Sequence, residues 1–87
     1  MFDLNEMAVF AKVVDTGSFT KAADKLGLPK STVSRKISQL EERLGVRLLN
    51  RTTRALKPTE TGKAYYFHCA KMVEEADDAN SVVTNMQ

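Results

Sequence analysis

The sequence predicts a mainly α fold: a winged helix-turn-helix of three helices and a short β-hairpin, followed by one long C-terminal helix. Three observations lead there. Two short helical patterns, Ser18 to Leu26 and Lys30 to Leu44, are broken at Gly27. A segment of alternating character follows Gly45, and the stretch after Thr59 then runs to the end with no proline and with Gly62 as its only glycine.

The first helix is expected to start at Asp3, with Glu6 three positions on in the manner of a capping box. Leu4, Met7, Ala8, Ala11 and Val14 supply its buried stripe with Phe10 alongside, and Gly17 ends it. The second helix has Ser18 as N-cap and a stripe of Phe19, Ala22, Ala23 and Leu26. Its paired alanines let another helix cross closely, and Gly27 accepts the left-handed conformation that closes a helix.

In the third helix Val33, Ile37, Leu40 and Leu44 recur at spacings of four, three and four, which forms one core-facing stripe. Ser31, Arg35, Ser38 and Glu42 therefore point outward. A helix with one face buried and a Ser/Arg-rich face exposed can enter a DNA major groove. An ordinary helical hairpin would show the same stripes.

After Gly45, Val46 and Leu48 alternate with polar residues, and Leu56 resumes the apolar positions before Pro58. This predicts a two-stranded wing carrying Arg47, Arg51, Arg54 and Lys57, with Arg51 and Arg54 bracketing its turn. Arginines on such a projection can grip phosphates or enter a narrow minor groove, although a solvated loop would also carry them.

Thr59 is expected to cap the last helix, with Glu60 at its positive end. A helix of that length reaches about 40 Å, more than a small core covers. Tyr65, Cys69, Met72, Ala76, Ala79, Val83 and Met86 form a sustained seam at spacings of four and three, which predicts a homodimer through this helix. A register through Tyr66, Cys69, Val73, Ala76, Asn80 and Val83 fits as well, and a helix folded back on its own domain is the competing arrangement.

Charge follows the same division. The net charge is +2, but residues 1 to 29 carry −1, residues 30 to 63 carry +6 and residues 64 to 87 carry −3. A basic middle coinciding with the outward helix and wing is what a phosphate footprint requires. With 87 residues the chain makes one small core. A single cysteine excludes an internal disulfide framework, and no apolar run approaches a membrane span, so a cytoplasmic location is expected. His68 and Cys69 are adjacent on a helix and point about 100° apart, so they form no nucleophile–base pair. No metal-ligand spacing and no phosphate-binding glycine loop is present. An enzyme is not expected, and no cofactor, metal or catalytic residue is assigned. Protein-interaction modules and sequence-neutral DNA packers stay open as alternatives.

Together these residues resemble the N-terminal DNA-binding domain of LysR-type transcriptional regulators along essentially the whole chain. The resemblance rests on F-x-x-V-V at Phe10 to Val14 and G-S-F-x-x-A-A-x-x-L at Gly17 to Leu26. It continues with S-x-x-V-S-R-x-I-x-x-L-E-x-x-L-G, read loosely from Lys30 through Gly45, L-L-x-R-T-T-R at Leu48 to Arg54, and T-E-x-G at Thr59 to Gly62. It implies residues 1–58 as a winged helix-turn-helix and residues 59–87 as a linker and dimerisation helix. The family's groove-facing positions fall on Lys30, Ser31, Thr32, Ser34 and Arg35, and its wing contact on Arg51 with Arg54 close by. Arg35 can take guanine O6 and N7 together, and the Thr32 methyl can touch thymine.

The chain departs from the family at Pro29-Lys30-Ser31, where relatives commonly carry Ser-Gln-Pro or Ser-Gln-Ser. Pro29 supplies no hydroxyl cap, and Lys30 replaces a side chain that reads adenine, so a different base preference is expected there. The resemblance further implies an interrupted inverted-repeat operator, a tetramer in the full-length protein, and a small-molecule effector bound by a C-terminal domain that this chain lacks.

Overall fold

The computed structural model describes residues 2–52 and 55–87. Its elements run α1 (Leu4–Thr16), α2 (Phe19–Leu26), α3 (Lys30–Leu44), β1 (Leu49–Arg51), β2 (Leu56–Pro58) and α4 (Glu60–Asn85). Helix α1 lies at the centre, packed against α2, α3 and the first half of α4. Phe10, Val13, Ala22, Val33, Ile37, Leu40, Leu48, Leu49 and Cys69 are its innermost neighbours or members, each nearly or fully removed from solvent. The Phe10 ring meets that of Tyr65 on α4 at 5.7 Å between centroids.

The caps follow the sequence. The Asp3 carboxylate accepts from the Asn5 and Glu6 amides at 2.8 and 3.2 Å, Ser18 Oγ from Lys21 N at 3.1 Å, and Thr59 Oγ1 from Gly62 N at 2.9 Å. These bonds satisfy amides that the first turn of a helix leaves unpaired. Gly27 sits at φ +67°, which lets the Leu28 amide fold back onto the Ala23 carbonyl at 3.1 Å and ends α2 before α3 begins. Pro29 is the N-cap of α3 and makes no side-chain cap; its carbonyl accepts from Thr32 N and Val33 N.

Several expected core positions are displaced. Leu4, Leu44 and Val46 are 53%, 42% and 42% exposed, while Val9 and Val13 take the deep positions on α1. At the end of α3 the interior site falls to Glu41, which is only 7% exposed, because its carboxylate finds partners in the turn that follows. Glu6 does not close a capping box. It is 2% exposed and accepts a two-pronged ion pair from Arg43 at the end of α3, with Arg43 Nη2 to Glu6 Oε2 at 3.0 Å. That hydrogen bond raises the Arg43 pKa above its ordinary value. Among the described residues no buried side-chain nitrogen or oxygen lacks a partner.

The wing is present but shorter than the alternation suggested. Strands β1 and β2 pair antiparallel with Leu49 opposite Pro58 and Arg51 opposite Leu56. Leu48 and Leu49 are both buried, since Leu48 precedes the strand and anchors it to the core. The hairpin end is tied by Thr52 Oγ1, which donates to Ala55 O at 2.9 Å and accepts from Ala55 N at 3.1 Å.

Candidate nucleic-acid interface

Helix α3 presents the expected face to solvent. Lys30, Ser31, Ser34, Arg35 and Ser38 are exposed, and Thr32 is half-buried. None of them makes a side-chain hydrogen bond or ion pair to another described residue of the chain, so this row of donors and acceptors is unspent. Gln39, four residues beyond Arg35, shares its side of the helix and is exposed too. The sequence reading passed over it, although the same i, i+4 spacing was the signal that would have found it.

Arg51 joins this face from the wing. Ser38, Glu42, Val46, Arg47 and Arg51 line one shallow hollow of about 430 Å³ between the end of α3 and β1, so the helix and the wing border a common groove. The Arg51 guanidinium is held there by Glu41 Oε1 at 2.9 Å and lies 5.8 Å from the centre of the Phe19 ring. Glu41 is a second residue the sequence reading missed. A glutamate at this point of an amphipathic helix ordinarily faces water, and nothing in the spacing alone announces a buried one. Arg54 lies outside the described residues.

The proposed dimer seam divides in two. Cys69 is fully buried, Tyr65 and Met72 are half-buried, and Tyr65 packs on Phe10, so the seam begins inside the chain's own core. The physical reason is that the first half of α4 covers α1, where Tyr66 also donates a hydrogen bond to Asp15. Burial pushes the Cys69 thiol up to about 11 and raises the Tyr65 hydroxyl as well. Ala76, Ala79, Val83 and Met86 are all exposed, along a helix that extends past the core in a molecule 47 Å long and 25 by 20 Å across.

A protein-family model described as the bacterial regulatory helix-turn-helix protein, lysR family, matches residues 4–63. The chain belongs to the LysR family. Among curated LysR relatives, a transcriptional regulator of Xanthomonas campestris is 53% identical over 85 residues, covering 98% of this chain and 25% of its own length. The transcriptional activator AaeR of Escherichia coli is 48% identical over 77 residues, covering 88% of this chain and again 25% of the relative. The chain therefore spans about a quarter of the length of the relatives it matches.

Solved LysR structures agree on the architecture. The BenM DNA-binding domain, crystallised with catB site 1 DNA, matches with a TM-score of 0.86 at 38% identity, covering 98% of this chain and 94% of that one. Full-length AphB of Vibrio cholerae matches with a TM-score of 0.87 at 35% identity, covering 95% of this chain and 29% of AphB. The winged helix-turn-helix with a long fourth helix is thus the family's fold, as expected from the sequence.

Proposed function

We propose that the chain is the sequence-specific DNA-binding part of a LysR-family regulator and binds an interrupted inverted-repeat operator as a homodimer. Helix α3 enters the major groove, and the wing lies on the flanking backbone or minor groove. The observation that carries this reading is the row Lys30, Ser31, Ser34, Arg35 and Ser38, exposed and without a side-chain partner among the described residues, bordered by Arg51 on a fold shared with a domain crystallised on DNA. Arg35 makes a forked contact to a base or phosphate, the serines bind phosphate or base edges, and Lys30 favours phosphate beside the helix N-terminus. Arg51 and Arg54 serve the wing.

Residues 1–58 supply DNA contact and residues 59–87 the dimer. This is a division of labour rather than of packing, since the first half of α4 belongs to the core. The exposed positions Ala76, Ala79, Val83 and Met86 form the seam with a second copy, continued by the half-buried Met72; Tyr65 and Cys69 support it from within the chain's own core. Action is by binding and not by catalysis, in the cytoplasm; the effector site and the contacts of a tetramer belong to the three quarters of the relatives that this chain does not span. No helix of the described residues is long and apolar enough to cross a membrane, and among them no cluster of His, Cys, Asp or Glu could hold a metal.

Selection of duplexes from a random pool tests the proposal. Recovery of a two-half-site consensus, with affinity falling steeply as salt rises, is expected. Equal affinity for all duplexes, or none at low salt, would overturn it.

A further inference from the structure

Glu41 and Arg51 form an arrangement that DNA contact by the wing does not by itself require. The Glu41 carboxylate is buried at the end of α3, and its two oxygens do different things. Oε2 accepts from the Leu48 and Leu49 amides at 2.8 and 3.2 Å, which pins the start of β1 to the helix. Oε1 accepts from Arg51 Nη2 at 2.9 Å and stands 3.9 Å from Arg47 Nη1. The Phe19 ring, from the first turn of α2, lies 5.8 Å from the Arg51 guanidinium carbon. Two helices, α3 and α2, thus converge on one side chain of the wing.

The geometry points to Glu41 as a positioning residue for DNA binding: it holds Arg51 in the orientation in which the guanidinium meets the duplex beside α3, and so couples the wing to the reading helix. The inference rests on the DNA-binding reading given above. A guanidinium offers five donors in a rigid fork, and the bond to Glu41 leaves most of them for a phosphate or a groove edge. The carboxylate cannot swing out to repel DNA, because two backbone amides hold its other oxygen. Arginine rotamer freedom is then lost on folding, so less remains to be lost on binding. Because Glu41 follows Ser38 by three residues on the same helix, a change in the seating of α3 moves Arg51 with it.

The test is a double-mutant cycle on the 87-residue chain, with a duplex recovered by the wild type from the random pool as probe. Glu41→Gln keeps a carbonyl oxygen for the Leu48 and Leu49 amides and turns an NH2 group toward Arg51, so the strand stays tied while the arginine is released. Glu41→Gln is expected to weaken binding about fivefold in the wild-type background and less than about twofold beside Arg51→Ala, since residues acting through one contact are not additive. Equal losses in both backgrounds would mean a merely structural role and would overturn the inference.

Arg51→Lys gives a second readout that does not depend on Glu41→Gln folding. A lysine keeps the charge and hence the salt slope, but its ammonium lacks the planar fork that meets the carboxylate on one edge while facing the duplex with the other, so affinity should fall about fivefold. Binding equal to wild type would overturn the inference. Failure of the wild type to bind any duplex would instead defeat the DNA-binding reading and this inference with it, and the wild-type arm tells the two failures apart.

Discussion

Gly62, in the first turn of α4, lies against the main chain of Leu48 so closely that a Cβ at position 62 would stand 2.0 Å from the Leu48 carbonyl oxygen. The same oxygen accepts from Thr59 N at 2.9 Å, and Thr59 Oγ1 donates to Arg47 O at 2.9 Å. The start of α4 is therefore seated on the segment that leads into the wing, and only a residue without a side chain permits the approach.

Gly62→Ala should consequently destabilise the fold by about 1–3 kcal/mol, the usual range for overpacking, because the atom in the way is backbone and cannot rotate aside. Urea unfolding would read the loss. A change below about 0.5 kcal/mol would show that α4 shifts without strain, contrary to the close seating described here.

Arg35→Ala tests the reading helix. It should weaken the selected duplex by about 1–3 kcal/mol and relax the preference at one base position if the guanidinium contacts a base edge. Competition binding against randomised positions separates the outcomes, because an equal loss on every sequence assigns Arg35 to the backbone. Its side chain has no partner within the described chain, so the fold should be unaffected.

Val83→Glu tests the seam. Val83 is 60% exposed and well beyond the core, so the substitution should leave thermal unfolding of the monomer unchanged while shifting sedimentation toward a monomer. Binding to a two-half-site duplex should fall more than binding to a single half-site. An unaltered mass in solution would remove Val83 from the interface.

Cys69 gives a pH prediction. Burial raises its pKa in the folded state to about 11 from an ordinary value of 9.0, so the folded chain holds the thiol proton more tightly than the unfolded chain does. Its contribution to stability is complete below about pH 9 and is lost as pH rises toward 11. Cys69→Ala lacks this loss, so the stability difference between wild type and variant should narrow over that interval in urea titrations. Tyr66 also has a raised value, held by Asp15 and burial, and cancels in the comparison; Tyr65 is raised by burial and by Cys69 itself, so the narrowing reads the Cys69–Tyr65 pair. A gap independent of pH would refute the assignment.

Much of this was legible from residue spacing, and the places where it failed share a cause. Ser31, Arg35, Ser38 and Glu42 are all on the exposed side of α3, because a 15-residue helix with three deeply buried apolar positions leaves little choice of rotation. Caps at Asp3, Ser18 and Thr59 were readable because each is a local bond between a side chain and an amide two or three residues away. Glu6 and Glu41 were not readable as buried, since each is satisfied by a group that only the tertiary fold supplies: Arg43, 37 residues on, for Glu6, and the amides after Gly45 for Glu41. Leu44 and Val46 look like core residues in the sequence, yet Glu41 occupies the interior at that end of α3. The seam of α4 reads as one uninterrupted stripe because the face that packs on α1 and the exposed face proposed to meet a second copy obey the same period.

With the proposed seam on its far half, α4 becomes a ruler fixed at one end. Its base is fastened to α1 by the tilted Tyr65–Phe10 ring contact and by Cys69, while every residue past Val73 is exposed. One residue inserted after Val73 would swing the distal apolar row by about 100° and advance it about 1.5 Å without disturbing the base. In the proposed dimer, the angular phase between the two copies, and with it the stretch of double helix they would straddle, is accordingly set by the number of residues between Val73 and Val83.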